Sequence, residues 1–318
     1  MNKTREITEA GLFAAVIAVM IIAAYYIPLL GSIMGMFLPI PIIVLSQKSK
    51  PIFVIAASVI GIALSGIFVS IISSLALGVP GLLIGVPMGW TIKHQKSNLM
   101  TWLVGTVFAT LGFTLLFASA EALTGITIME NLKQSFAMSM DFQTDLSAAV
   151  GDLGVDTQTS LEETKKLFDD MLYAMQLLMP AILIVISMFS SAANLVFSHQ
   201  VLKRMRIDHM PLGTFDTFRY PKHVAYGGMG MILLAYFVGL AGLVDSQLIT
   251  ANFSYLFTMI FCIQGLSLIY YFVKKNSGKS LGVVIVIILM LLGLQQFIAF
   301  LGFFDVLMDV RKFDKKRS

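Results

Sequence analysis

A succession of long apolar runs limits this chain to one class of fold. The runs lie near residues 7–30, 33–47, 51–69, 71–92, 99–124, 172–202, 223–244, 248–273 and 281–308. A helix needs about 20 apolar residues to cross a bilayer, and most of the runs reach that length. Charged residues make up only 13% of the chain, whereas soluble domains carry about 25%. We therefore predict an all-α, polytopic helical membrane protein with about eight or nine transmembrane helices.

The charges between these runs predict the orientation of the chain in the membrane. Basic residues stand at alternate points between the runs, in the groups Lys3/Arg5, Lys48/Lys50, Lys93/Lys96, Lys203/Arg204/Arg206 and Lys274/Lys275/Lys279. Because positive residues remain on the cytoplasmic side, we expect a cytoplasmic N-terminus. The segment 125–170 carries nine acidic residues against three lysines, and we expect it outside the cell. The basic residues cluster at the ends of spans, so the surroundings that they indicate are membrane lipids, with no nucleic-acid partner.

The external segment 125–170 contains two weak helical periods. They consist of Leu132, Phe136 and Met140, and of Leu161, Lys165, Phe168 and Leu172. We predict an external helical insert of two helices, the second of which runs into the sixth span. Two interpretations remain open for it: a lid over an outward-facing pocket, or a solvated connection.

The apolar stretch at 281–308 is too short for two full spans, yet a basic tail follows it. We favour a short hairpin that turns near Gln295 and Gln296 and leaves the C-terminus in the cytoplasm. The alternative is one long helix with an external tail. The expected organisation is a membrane domain at 1–205, a cytoplasmic linker at 206–222, and C-terminal membrane helices with the basic tail at 223–318.

Three alanines of the first span share one helix face. Ala10, Ala14 and Ala18 recur every four residues, and such stripes of small residues let two helices approach closely in a bilayer. The stripe is either a docking face for another membrane protein or a site of internal helix packing, and its spacing alone does not separate the two.

The candidate site residues are polar side chains inside the spans, which are costly there unless they face protein or water. Glu121 and Asn194 are the candidates for substrate binding, while Asn252, Gln264 and the Gln295–Gln296 pair are typical of interhelical hydrogen bonding. The chain contains no HExxH, CxxC or GxSxG motif. We therefore expect no enzymatic activity, no catalytic residue, no cofactor and no metal site.

The first 205 residues resemble the substrate-binding S component of energy-coupling factor transporters. The resemblance rests on six spans with both ends cytoplasmic, on the Ala10/Ala14/Ala18 stripe, and on a glycine- and proline-containing turn at 35–39. It implies that the first six spans are arranged as in an S component. It also implies that the stripe docks a transmembrane coupling subunit with separate ATPases, and that the outer loops close over a vitamin or similar small molecule. The expanded segment 125–170 and the residues beyond 205 depart from that pattern.

The whole chain resembles the YybS-type family of polytopic membrane proteins from Gram-positive bacteria. The resemblance is carried by residues 215–221, 264–267, 301–305 and 309–311, and it implies a multi-pass protein of the bacterial cell membrane. Two functions are compatible with the sequence. The first is a substrate-capturing component for small-molecule uptake. The second is a non-transporting scaffold or regulatory protein that recruits partners through its cytoplasmic segments 203–222 and 309–318.

Overall fold

The computed structural model describes residues 3–27, 30–150, 158–242, 245–277 and 279–312, and all regular structure in these ranges is helical. The α-helices are α1 (Lys3–Tyr26), α2 (Leu30–Met36), α3 (Pro39–Lys48), α4 (Pro51–Val69), α5 (Ile71–Lys93), α6 (Asn98–Thr124), α7 (Ile128–Val150), α8 (Gln158–Arg204), α9 (Lys222–Leu240), α10 (Ser246–Ser277), α11 (Lys279–Leu291) and α12 (Gln295–Met308). Among the described residues, seven helices are long and apolar enough to cross a membrane, and three shorter apolar helices accompany them. The predicted all-α, polytopic membrane architecture is confirmed.

Local sequence signals determine where several helices begin and end. Proline occupies the first turn of α3 and of α4, where its missing amide hydrogen costs no helical hydrogen bond. The hydroxyl of Ser97 accepts a hydrogen bond of 3.2 Å from the amide of Met100 and caps α6. Gly125, with φ of +69°, ends the same helix in the left-handed conformation that glycine tolerates.

Residue contacts divide the chain into two compact units, of which unit 1 comprises Met1–Gln176 and Ile186–Leu212. Helices α3 and α5 meet in this unit through two matching four-residue stripes. Gly81, Gly85 and Gly89 of α5 face Leu38, Ile42 and Ser46, respectively. A side chain at Gly85 would bring its Cβ to 2.7 Å from the Cβ of Ile42. The glycine stripe is therefore explained by close helix packing.

Helix α8 extends beyond any bilayer, because its 47 residues correspond to about 70 Å of helix. Its first turns belong to the segment 125–170, where Phe168 stacks on Phe136 of α7 with ring centroids 3.4 Å apart. The prediction that the second helix of the segment 125–170 runs into the sixth span is thus confirmed, while the external location of this segment remains a prediction. Residues 151–157, where the turn between the two helices was expected, lie outside the described residues. The lid remains a prediction.

Unit 2 comprises Leu177–Val185 and Gly213–Ser318, and α10 stands at its centre. Helix α12 crosses α10 at Gly265 and Gly302, where a Cβ on Gly265 would overlap the carbonyl of Ile298 and one on Gly302 the carbonyl of Phe261. Both glycines belong to segments that carry the resemblance to the YybS-type family. The two backbones approach so closely that only glycine, which has no Cβ, fits at these two positions. The residues 213–221, which were expected in a linker, pack within this unit.

A single amide joins α10 to α8 at the proline inside α8. Pro180 lies inside that helix, where it can donate no backbone hydrogen bond, and Asn252 of α10 bonds to the backbone on either side of it. Its Nδ2 donates to the carbonyl of Leu177 at 2.7 Å, and its Oδ1 accepts from the amide of Ala181 at 3.0 Å. These two backbone groups would pair with each other in a regular helix. The interhelical hydrogen bonding expected for Asn252 is confirmed.

The C-terminal apolar stretch forms two short helices. Helix α11 ends at Leu291 and α12 begins at Gln295, and Gly293 between them adopts a φ of +71°. The turn therefore lies where the hairpin was predicted, and one continuous helix is excluded over 279–308. Residues 313–318 lie outside the described residues, and the cytoplasmic location of the C-terminus remains a prediction.

Candidate functional sites

Unit 1 contains a cavity of about 490 Å³ between helices α1, α2, α3, α5, α6 and α8. Its walls are mainly apolar, as in Leu77, Ile84, Phe113, Leu116 and Phe189. Ser190 contributes the one side-chain hydroxyl among the described lining residues. The backbone carbonyl of Ala76 is a second polar group in the lining. Pro80, four residues later, has no amide hydrogen to donate to this carbonyl, and both residues line the cavity.

Asn194 does not line this cavity but bonds to two residues that do. The side chain is completely buried, and its Nδ2 donates to the carbonyls of Met36 and Ser190 at 3.0 and 2.9 Å. Both of these residues line the cavity. The Oδ1 atom of Asn194 accepts no hydrogen bond from any described residue. The predicted candidate is thus placed beside the cavity with one acceptor unused, while its binding role remains a prediction.

Glu121 does not line the cavity, although the sequence suggested it for the same site. Helix α6 reaches the cavity through Phe113 and Leu116, and the side chain of Glu121 is exposed. Five residues beyond Leu116 correspond to a rise of about 7.5 Å and a rotation of about 140° around the helix. Glu121 is therefore displaced from the part of α6 that lines the cavity. Its role in substrate binding remains a prediction.

The alanine stripe of α1 lies inside unit 1. Ala10, Ala14 and Ala18 are only 9, 2 and 7% exposed, and Gly61 of α4 sits so close to Ala14 that an added Cβ would be 2.8 Å from the Ala14 carbonyl. This geometry favours the packing alternative that the sequence left open. A coupling subunit could touch the three alanines only if α1 and α4 separated.

Unit 2 carries a buried polar cluster that the sequence did not predict as a site. We call it the basic-end cluster, because it lies at the end of α10 that carries Lys274; its members are Asp216, Arg219, Gln264, Ser267, Lys274, Asp305, Asp309 and Arg311. At its centre the Oδ2 of Asp305, a completely buried residue, accepts from Gln264 at 2.6 Å and pairs with Arg311 at 3.1 Å. The Oε1 of Gln264 accepts from the amide of Tyr220 at 3.0 Å. The amide of Gln264 therefore connects α12 to the segment that precedes α9.

Arg311 connects the three chain segments that form the cluster. Its guanidinium donates to the Ser267 hydroxyl at 3.0 Å and to the carbonyl of Asp216. Ser267 in turn donates to the carbonyl of Phe215 at 2.6 Å. A buried arginine needs such partners because its charge is costly away from water. The segments 215–221, 264–267 and 305–311 thus meet around one guanidinium.

Three further ion pairs surround this centre. Lys274 pairs with Asp216 at 2.7 Å, and its hydrogen bond lowers the pKa of Asp216 more than burial raises it. Asp309 pairs with Arg219 and, at 3.0 Å, with Lys312. Burial raises the pKa of Asp309, but the hydrogen bonds from Arg219 and Lys312 outweigh that effect and the pKa is lowered. Both carboxyl groups therefore remain charged at neutral pH.

The centre of the cluster is not fully satisfied. The Oδ1 of Asp305, the Oδ1 of Asp216 and the Nε of Arg311 have no hydrogen-bond partner among the described residues. Each buried group of this kind costs roughly 1–3 kcal/mol unless water or another molecule completes it. No group of three or more His, Cys, Asp or Glu side chains in the described ranges is arranged to hold a metal ion.

The seven long apolar helices of the described residues define a multi-pass helical membrane protein. Residues 15–306 match the family described as "Predicted membrane protein (DUF2232)", and the chain belongs to this family. It is also 22% identical over 301 residues to the "Uncharacterized protein YybS" of Bacillus subtilis (strain 168), with 91% of each chain covered. No solved structure matches the chain. The similarity to transporter S components therefore rests on the sequence features alone.

Proposed function

We propose that the protein is a membrane component that captures a small, mainly apolar molecule in the cavity of unit 1. The cavity of about 490 Å³ is the observation that carries the proposal, because small-molecule sites in proteins measure about 300–1,000 Å³ and are lined mainly by apolar side chains with a few polar groups. The S-component-like features of the first 205 residues support the same function.

The lining groups suggest which molecule would fit. The described lining residues include no Asp, Glu, Lys or Arg, and an uncompensated charge would be expensive there. The carbonyl of Ala76, which Pro80 leaves without its helical donor, offers one acceptor in the lining. Asn194 is not a lining residue, but its Oδ1 is buried without a partner next to the lining residues Met36 and Ser190, and we propose it as a second acceptor. The molecule we propose is therefore uncharged and apolar, with one or two hydroxyl or amide hydrogens to donate.

The capture is tested by narrowing the cavity. Leu116 lines it, whereas the neighbouring Leu115 is 55% exposed and does not. Leu116→Trp and Leu115→Trp therefore add the same bulk on two sides of α6. The wild-type chain and both variants are purified in mild detergent from the native membrane, and the co-purifying small molecules are quantified by mass spectrometry.

We expect one small molecule to accompany the wild-type chain and Leu115→Trp and to be reduced about tenfold or more in Leu116→Trp. An equal amount in both tryptophan variants, or the absence of any bound molecule, would remove the capture function. Passing the molecule to a coupling subunit with separate ATPases is a further part of the proposal. Co-purification of those subunits with the wild-type chain tests this part.

A second candidate function, recruitment of a partner at the cytoplasmic face, is favoured by the basic-end cluster. The cluster fixes residues 215–221 beside residues 309–312, and both belong to the segments expected to recruit partners. Phe215 is 41% exposed next to this cluster. A photoreactive amino acid at position 215 is expected to crosslink a protein partner in cells, and one at Leu233 of α9, 56% exposed, is not. Equal crosslinking at both positions would dismiss the recruitment function.

A further inference from the structure

Unit 2 contains a second cavity that none of the features above uses. Helices α9 and α12 both pack on α10 and leave a groove of about 470 Å³ between them. Phe257 of α10 and Phe300 and Phe303 of α12 form an aromatic surface in it, and Ile232 and Leu233 of α9 form the opposite wall. The residues of this groove all belong to unit 2, so its interpretation does not depend on the capture site of unit 1.

The lengths of the helices indicate that the groove lies at the depth of the hydrocarbon region. Thr258 of α10 lines it and is about 24 Å along the helix axis from Lys274, the start of the charged end, within a hydrocarbon core of about 30 Å. Helix α12, with 14 residues, measures only about 21 Å. Its first turn, which contains Gln296, therefore ends within the bilayer rather than at a surface.

Three polar side chains line this groove without a hydrogen-bond partner among the described residues. Ser254, Thr258 and Gln296 all face it, and none of them has a hydrogen bond to another described residue. Other polar side chains of the chain do find one: Thr106 and Thr110 of α6 each donate to a carbonyl of their own helix at 2.9 Å. Unpaired polar groups cost several kcal/mol each in hydrocarbon. The groove is therefore incomplete without a polar group from another molecule.

Gln295 provides the contrast within one turn of helix. Its Nε2 donates to the carbonyl of Met290 at 3.3 Å and so caps the end of α11. The adjacent Gln296 has the same amide, but it lines the groove and caps nothing in the described structure. Gln295 caps α11 at the turn of the hairpin, whereas the side-chain amide of Gln296 is available to a ligand in the groove.

We propose that this groove binds an uncharged lipid that carries carbonyl oxygens. The hydrocarbon part of the lipid lies against Phe257, Phe300 and Phe303, and its carbonyl oxygens accept hydrogen bonds from Gln296 and from the hydroxyls of Thr258 and Ser254. The two glutamine N–H groups and the two hydroxyls give up to four donors, which suits carbonyl acceptors. The described lining residues include no charged side chain, so a phosphate headgroup has no counter-ion there. Ester carbonyls of a diacylglycerol and ring carbonyls of an isoprenoid quinone share this chemistry.

The experiment uses the purified full-length protein in detergent and three probes. 1,2-Dioctanoylglycerol and a quinone with a decyl tail represent the two sources of carbonyls, and dioctanoyl phosphatidylglycerol represents a charged lipid. Binding is measured by native mass spectrometry with titration of each probe. We expect saturable binding of one of the two uncharged probes, which identifies the source, and at least about tenfold weaker binding of the charged lipid.

The variants assign the binding to the groove. Gln296→Leu removes the amide at similar size and is expected to weaken binding about tenfold, while Gln295→Leu is the matched control and retains binding. Ala299→Trp fills the groove and abolishes binding, and Thr258→Val supplies an independent test if Gln296→Leu does not fold. Binding of neither uncharged probe, equal binding of the charged lipid, or unchanged binding in Gln296→Leu and Ala299→Trp would each overturn the proposal.

Discussion

Arg311 is the residue on which the basic-end cluster depends. It is only 8% exposed, and its guanidinium contacts Asp305, Ser267 and the Asp216 carbonyl. Removing one partner of a buried ion pair leaves the other charge uncompensated, whereas replacing both partners costs far less. The arrangement therefore makes a specific prediction about single and double substitutions.

Arg311→Met is expected to lower the free energy of unfolding of the protein in detergent by about 3–5 kcal/mol, because Asp305 then remains buried and unpaired. Asp305→Asn combined with Arg311→Met should recover much of this loss, since no unpaired carboxylate is left. Lys312→Met is the control, because that side chain is 77% exposed, and it should change stability by less than about 0.5 kcal/mol. A double variant as unstable as Arg311→Met would show that the ion pair does not explain the effect.

The carboxyl groups of Asp216 and Asp309 predict how stability depends on pH. Hydrogen bonds from basic side chains lower the pKa of both groups. A group with a folded pKa below its unfolded value of about 3.9 stabilises the fold above that value, and the stabilisation is lost as the pH falls through the folded pKa. We expect the thermal unfolding temperature in detergent to fall as the pH is lowered below about 4.

The matching substitution is Lys274→Met, which removes the group that lowers the pKa of Asp216. This variant should be less stable than the wild type at neutral pH and should lose less stability on acidification. Parallel pH profiles for the two proteins would contradict the assignment of the acid dependence to this pair.

At the scale of elements, the joint between α8 and α10 at Pro180 is the most specific feature. Asn252 bonds to the Leu177 carbonyl and the Ala181 amide, which are the two backbone groups that a helical hydrogen bond would otherwise join. Asn252→Leu should leave both unsatisfied and lower the free energy of unfolding by roughly 1–3 kcal/mol per group.

The combined variant Pro180→Ala/Asn252→Leu tests the cause. Without proline, α8 can close its own hydrogen bonds, so this variant should be more stable in detergent than Asn252→Leu alone. Gln247→Leu, near the exposed start of α10, serves as the control and should leave the unfolding temperature unchanged. No recovery in the combined variant would mean that Asn252 acts through packing rather than through the backbone of α8.

At the scale of the whole molecule, the lengths of the apolar runs predicted most of the helices and the C-terminal hairpin. The requirement for about 20 apolar residues per span is strong and local, so it can be read from the sequence directly. The basic-end cluster could not be predicted in the same way. Arg219, Lys274 and Arg311 stand at helix ends, where basic residues ordinarily mark orientation, and only the fold brings 215–221, 264–267 and 305–311 together.

The candidate site in unit 1 was predicted in part. Asn194 is buried beside the cavity, because an amide inside a span must find partners on neighbouring helices. Glu121 was suggested because it stands near the outer end of a span. It lies about 7.5 Å farther along α6 than Leu116 and about 140° around the helix from it, and it is not among the residues that line the cavity. Four-residue spacing identified the alanine stripe as a contact surface and did not reveal that α4 covers it.

The orientation of the molecule is tested by labelling single cysteines in a Cys262→Ser background. Cysteines in place of Lys133 in α7 and of Lys96 between α5 and α6 occupy exposed positions. An impermeant maleimide should label position 133 on intact cells and should label position 96 only after the membrane is opened. A third cysteine at Lys312 should behave like position 96 if the hairpin returns the chain to the cytoplasm. The reverse pattern at 96 and 133 would contradict the predicted topology.

The joint at Pro180 also has a consequence for biosynthesis. Asn252 follows Ala181 by 71 residues, so at roughly 5–20 residues per second the ribosome needs about 4 to 14 s to supply it. During that interval the carbonyl of Leu177 and the amide of Ala181 lack the partner that Asn252 gives them, and lipid cannot replace it. Water or the insertion machinery must supply partners until α10 arrives. A chain whose synthesis stops between the two helices therefore presents an unfinished span, which membrane quality control could distinguish from a completed one.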